Sequence, residues 1–262
     1  MPKLTAFRPH VAAVASIALS SGAFAQTNAF DFGANYGGAG EPGWTNGANA
    51  GFGFGAWTIN NNNNGTNIFA GNFIGNPADA GISGMSTESF ALYANPAGSG
   101  AFVTASRPLL SALKVGETFS MQWGINWDGD NGTNGNKGFN LFVGGTQVVN
   151  VNNGGNSDIQ FNTINTGFGF GTQAMTWSFT YTNASTLFVS ANDRDGSGTF
   201  STNITIGGGI SSFSLYASQL APGDNRQPYF NDLAVVPEPS TYALLALSGI
   251  AFGGYTIRRR RR

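Results

Sequence analysis

Glu117-Thr-Phe-Ser-Met-Gln-Trp-Gly-Ile-Asn-Trp127 alternates with a period of two: Phe119, Met121, Trp123, Ile125 and Trp127 fall on one side, and Ser120, Gln122, Gly124 and Asn126 on the other. Successive side chains of a strand point to opposite faces, so the segment predicts a strand with one buried and one wet face, the habit of antiparallel sheets. The same reading extends outward to twelve more segments, at 52–59, 67–74, 89–94, 101–106, 138–143, 147–151, 159–162, 175–181, 187–192, 200–206, 210–217 and 229–236. Thirteen short strands predict a sandwich or barrel. Between 26 and 236 no helical stripe exceeds about two turns, and the spacing of βαβ units is missing, which argues against a doubly wound fold.

Turn chemistry agrees. Gly144-Gly145 separates Asn140-Leu-Phe-Val143 from Thr146-Gln-Val-Val149, and glycine accepts the positive φ values that a two-residue hairpin turn requires. Asn60 to Gly65 and Gly37 to Gly43 read as polar loops. Gly51-Phe-Gly-Phe-Gly55 recurs as Gly167-Phe-Gly-Phe-Gly171, ahead of Trp57 and Trp177; five residues make two similar strand entries within one domain rather than a duplication.

Composition narrows the chemistry. The 262 residues contain no cysteine and one histidine, His10, so disulfides, thiolate metal sites and a cysteine nucleophile are excluded. Loss of the segment holding His10 would also remove every imidazole mechanism. Charged residues are 10% of the chain, while 39 Gly and 29 Asn together make about 26%. Divided by segment, the body from Gln26 to Val236 keeps five bases against twelve acids, 5 − 12 = −7. A nucleic acid would be repelled by that balance at long range, so nucleic-acid binding is set aside.

Both ends read as addresses. Residues 1–25 begin with Lys3 and Arg8, continue through an apolar stretch from Val11 to Leu19 and reach Ala23-Phe24-Ala25 before Gln26. That order of basic, hydrophobic and small residues predicts a secretory signal peptide cut after Ala25. At the other end, Pro237-Glu238-Pro239 precedes sixteen uncharged residues, Tyr242 to Ile257, and then Arg258, Arg259, Arg260, Arg261 and Arg262. Sixteen residues give about 24 Å of helix, a marginal transmembrane span for a hydrocarbon core of about 30 Å, with the arginines cytoplasmic and the body outside. The two prolines keep the approach to the span extended and accessible.

In that tripeptide, apolar stretch and basic cluster the C-terminus resembles the PEP-CTERM sorting signals of bacterial surface proteins. The resemblance implies recognition of residues 237–262 by an exosortase, a membrane cysteine transpeptidase, with cutting near Pro237 to Pro239 and delivery to the surface of a Gram-negative bacterium that makes exopolysaccharide. A permanent single-span anchor is the plainer alternative, and both place residues 26–236 outside the inner membrane. The strand order and the closing strand from Tyr229 to Val235 also resemble the laminin-G and concanavalin-like jelly rolls. The expected architecture is thus all-β, a single antiparallel β-sandwich (jelly roll) over 26–236, flanked by a signal peptide and a sorting helix.

Candidate chemistry is sparse. Asp128-Gly129-Asp130-Asn131-Gly132 and Asp193-Arg194-Asp195-Gly196 space oxygen ligands as a Ca²⁺ site would, with Asp128, Asp130, Asp193 and Asp195 as ligands. Neither completes the EF-hand spacing, and an Asx-rich hairpin turn is the simpler reading of both. Glu88 and Glu117, with those aspartates, could act as paired carboxylates on a glycan, but no jelly-roll glycosidase signature surrounds them. Trp123 and Trp127 share a face with Phe119 and belong to the core, which leaves Trp44, in Pro42-Gly43-Trp44, as the exposed candidate for stacking on a sugar. The GxGxxG match from Gly38 to Gly43 lacks a preceding strand and contains Pro42, so it is not a nucleotide loop. The expected function is a non-enzymatic binding or structural module of an extracellular polysaccharide matrix. Alternatives are a carboxylate-dependent glycan-cleaving enzyme and a self-associating protein without a ligand.

Overall fold

A computed structural model describes residues 27–37, 43–126, 135–154, 158–168, 174–193 and 198–237. The signal peptide, Glu238 and Pro239, the sixteen-residue span, the arginine cluster, the Gly38–Pro42 loop, Trp127, Asp128, Asp130 and Asp195 lie outside the described residues. Among the described residues no helix is long and apolar enough to cross a membrane.

Among the described residues fifteen strands form two sheets, and every pairing is antiparallel. In chain order they are β1 (Ala29–Asp31), β2 (Thr58–Asn62), β3 (Phe69–Gly75), β4 (Ser89–Asn95), β5 (Phe102–Pro108), β6 (Glu117–Gly124), β7 (Asn136–Val143) and β8 (Thr146–Gly154). There follow β9 (Gln160–Phe161), β10 (Ile164–Asn165), β11 (Met175–Asn183), β12 (Thr186–Asp193), β13 (Thr199–Thr205), β14 (Ser212–Ser218) and β15 (Tyr229–Pro237). One sheet runs β13-β12-β11-β6-β15-β4-β3, with β1 also on β15; the other runs β10-β9-β8-β7-β14-β5-β2. Along the described strands the chain changes sheet eight times, between β1 and β2, β2 and β3, β4 and β5, β5 and β6, β6 and β7, β10 and β11, β13 and β14, and β14 and β15, so the two layers are built from interleaved segments of the chain.

The alternation in β6 does what period two predicts. Phe119, Met121, Trp123 and Ile125 are buried, whereas Ser120 and Gln122 stay half-exposed on the outer face. The buried row meets the opposite sheet through rings: Trp123 stands edge-on to Phe139 at 5.8 Å, and Phe119 stacks on Phe213 at 5.3 Å. At Gly144 and Gly145, φ values of 54° and 87° close the β7–β8 hairpin, with Val143 opposite Thr146.

Two expectations change. The run 52–59 is not one strand: Phe52 and Phe54 make isolated bridges to Phe30 and Leu109, and regular pairing begins at Thr58. It then continues through the asparagines expected to form a loop, because Asn60, Asn61 and Asn62 pair with Thr104, Val103 and Phe102 of β5. Backbone pairing overrides the low strand propensity of asparagine there, and Asn62 adds a side-chain bond to the Gly100 carbonyl at 2.9 Å.

A buried ion pair holds the segment before β2 on the sandwich. Arg107 and Asp31 are in direct contact with their side chains fully buried. Arg107 also donates to Asn49 Oδ1 and the Ala50 carbonyl, both at 2.7 Å, and to the Gly55 carbonyl, and it lies over the rings of Phe54 and Trp57. Asp31 accepts from Asn35 and from the Tyr36 hydroxyl, each at 2.8 Å. Burial pushes the Asp31 carboxyl above the usual carboxylate range, while the Asn35 amide, the Arg107 guanidinium and the Tyr36 hydroxyl pull it back.

Candidate functional site

Registers across the second sheet align its outward side chains in rows. One row crosses six strands as Asn60, Thr104, Tyr216, Gly138, Asn152 and Gln160. The rows on either side are Thr58, Ser106, Ser214, Asn140, Asn150 and Asn62, Phe102, Ser218, Asn136, Gly154. None of these residues is charged. Arg107 and Lys137, which belong to the same strands, point to the other side and are buried.

Hydrogen bonds order the carboxamides. Asn150 Nδ2 donates to Asn140 Oδ1 at 2.8 Å and to the Tyr216 hydroxyl at 3.0 Å; that hydroxyl donates to Asn152 Oδ1 at 2.9 Å, and Asn152 Nδ2 to Asn136 Oδ1 at 3.0 Å. The relay fixes each amide rotamer in advance, so a ligand need not order them. Burial raises the Tyr216 phenol well above its ordinary value, against the pull of the Asn150 amide, and keeps it a proton donor. Gly138 sits beneath the relay because nothing larger fits: a Cβ there would lie 1.9 Å from the Val151 carbonyl oxygen and 3.0 Å from the Tyr216 hydroxyl.

A groove of about 500 Å³ runs over this relay, bounded by Phe102, Thr104, Gln147 and Ser218. Both Asn140 and Asn150 line it, and among the described residues neither Asn140 Nδ2 nor Asn150 Oδ1 makes a hydrogen bond, so the pair offers one further donor and one further acceptor. That pair complements two neighbouring hydroxyls of a sugar ring, each of which both donates and accepts. Phe102, 42% exposed, adds a flat apolar face at the edge.

The residues expected to carry function are placed otherwise. Trp44 is 5% exposed, packed against Phe90 at 4.9 Å and Trp57 at 5.4 Å, and no sugar can stack on it; a large ring next to the core is drawn in despite its loop-like neighbours. Trp123 is buried in the core, as its alternation implies. Glu117 begins β6 and accepts from Asn28 and the Lys114 backbone, whereas Asp128 lies outside the described residues. Asp193 is the last residue of β12 and its three companion aspartates fall outside the described residues; among the described residues no cluster of acidic or histidine side chains could hold a metal. Sequence reasoning missed the relay itself. Asparagine reads as turn-forming, and a one-residue shift between Leu141 and Phe142 breaks the pairing that could have been counted from the Gly144-Gly145 turn.

Pro237 is the last residue of β15, paired with Glu117, so the stretch before the tail is extended as expected, though part of a sheet. Residues 235–262 match the PEP-CTERM protein-sorting motif. The chain carries a PEP-CTERM sorting motif. Among curated proteins, no sequence matches the chain. Among solved structures, the T. cruzi calreticulin globular domain is similar at 9% identity and a TM-score of 0.43, over 78% of this chain and 95% of that one. The botulinum neurotoxin serotype D binding domain is similar at 10% identity and 0.39, over 70% and 44%. The Stig cyclase Fisc from Fischerella sp. TAU is similar at 15% and 0.36, over 70% and 85%. Likeness at this level speaks to neither ligand nor reaction.

Proposed function

We propose that this PEP-CTERM protein is exported, sorted by an exosortase, and displayed as a non-enzymatic module that binds a neutral polysaccharide along the asparagine groove. In this reading a signal peptide is removed after Ala25, Tyr242 to Ile257 anchor the precursor in the inner membrane, and cutting near Pro237 to Pro239 passes the body to the cell surface or matrix. The observation that supports the ligand class is the uncharged relay of Asn140, Asn150, Tyr216, Asn152 and Asn136 beside an exposed Phe102. Hydroxyl-rich ligands match carboxamides, and a body of net charge −7 disfavours anionic glycans.

A glycan array probed with the exported protein tests the class: retention should concentrate on neutral polysaccharides and persist in EDTA. Retention only on anionic glycans, or on none, would overturn the reading. Release of new reducing ends from any retained glycan would instead favour a carboxylate-dependent enzyme.

A further inference from the structure

Strand β13, Thr-Phe-Ser-Thr-Asn-Ile-Thr from Thr199 to Thr205, closes one edge of the larger sheet and pairs only with β12. The Ile206 amide donates to the Ser185 carbonyl. Strand alternation therefore turns the backbone groups of Phe200, Thr202 and Ile204 toward β12, and those of Thr199, Ser201, Asn203 and Thr205 toward the open side. Among the described residues none of these four backbones has a partner there. The edge lacks the charges, prolines and bulges with which proteins usually blunt such strands.

We infer that β13 pairs antiparallel with β13 of a second copy of this chain, about a two-fold axis at Thr202. That register sets Phe200 opposite Ile204 of the other copy on the inner face, and Ser201 opposite Asn203 on the outer face, with Thr202 facing itself. Apolar residues meet apolar ones, hydroxyl and amide groups meet their like, and every open backbone group gains a partner. The strand's own sequence points to a second copy as the occupant: it is self-complementary about Thr202, and none of its seven residues is charged, so the contact strand adds nothing to the repulsion between two bodies of net charge −7. Phe200, which packs on Phe161 at 5.5 Å, and Ile204 are only half-buried in one copy and are covered in the pair.

A seven-residue strand is about 23 Å long and a sandwich layer about 10 Å deep, so the contact covers roughly 500 Å² over both copies. This falls below the ~1,200 Å² of stable interfaces, and the association is weak, suited to copies concentrated on one surface.

The absence of cysteine makes the test direct. Thr202→Cys in the full chain, in non-ionic detergent, should form a disulfide dimer at least tenfold faster than Thr176→Cys, which lies in mid-sheet; opposed residues in such a pair sit about 4.5 Å apart, within disulfide range. Adding Asn203→Pro removes an outward amide without touching the β12 ladder and should abolish that advantage. Equal rates for Thr202→Cys and Thr176→Cys, the pattern of association through the tail or the micelle, would overturn the pairing, as would indifference to Asn203→Pro. If Thr202→Cys fails to fold, mixed Ser201→Cys and Asn203→Cys chains should cross-link to each other at least fivefold faster than either to itself; equal rates would also overturn it.

Discussion

Arg107 shows how much one side chain can hold when charge is scarce. Its guanidinium joins β5 to Asp31, Asn49, Ala50 and Gly55, a stretch with little regular structure of its own. Arg107→Ala strands a buried carboxylate and should cost about 3–5 kcal/mol, lowering the melting temperature by roughly 10 °C. Arg107→Lys should rescue little, since one ammonium cannot replace the planar fork. A calorimetric melt of each variant checks both, and a loss under about 1 kcal/mol for Arg107→Ala would refute the clamp.

Tyrosines set the alkaline limit at the same scale. Burial raises the phenols of Tyr36 and Tyr216, and with help from Asp224 and Asp79 pushes that of Tyr229 up to about 12. Folding thus favours the neutral phenols, and the unfolded chain loses their protons first, near pH 10. Stability from this source should be constant below about pH 10 and fall as pH rises beyond it. Denaturant midpoints at pH 8, 9.5 and 11 follow this; a rise between 9.5 and 11 would contradict it.

At the scale of the element, β6 and β7 differ in how openly the sequence reveals them. Strict alternation in β6 made its core face readable from Phe119 to Ile125, and the Gly144-Gly145 turn located the hairpin of β7 and β8 but not its shifted register. β1 is three residues long, too short for a period, and β2 begins after two isolated bridges, so neither could be read directly. The groove was hidden because its asparagines align only past the one-residue shift in the β7–β8 hairpin, and because Tyr216 and Phe102 join them through the pairing of β14 between β5 and β7, a contact between strands far apart in sequence. Gly138→Ala tests that assembly: its Cβ would collide with the Val151 carbonyl and prise β8 from β7. The variant should lose roughly 2–4 kcal/mol and weaken glycan retention; native stability by denaturant titration would show that the strands are looser than described.

Across the whole molecule, β1 and the end of β15 lie side by side, Ala29 opposite Val235, so the chain enters and leaves the sandwich at one end. The strands leading into the Asp128 and Asp193 turns finish at the other, where Trp123 and Asp193 both stand level with Met175. The cut proposed near Pro237 to Pro239 falls at the first of these ends, where β15 finishes. Mass spectrometry of surface-extracted protein should find a C-terminus near Pro237 to Pro239, and an intact Arg262 on that material would refute processing.

Calorimetric titration of a retained neutral polysaccharide into the wild-type protein and into the Asn140→Ala/Asn150→Ala variant bears most directly on what the molecule does. Affinity should fall at least tenfold in the variant while its melting temperature changes by only a few degrees. Equal affinity in the two proteins would place the ligand elsewhere and remove the groove from the account.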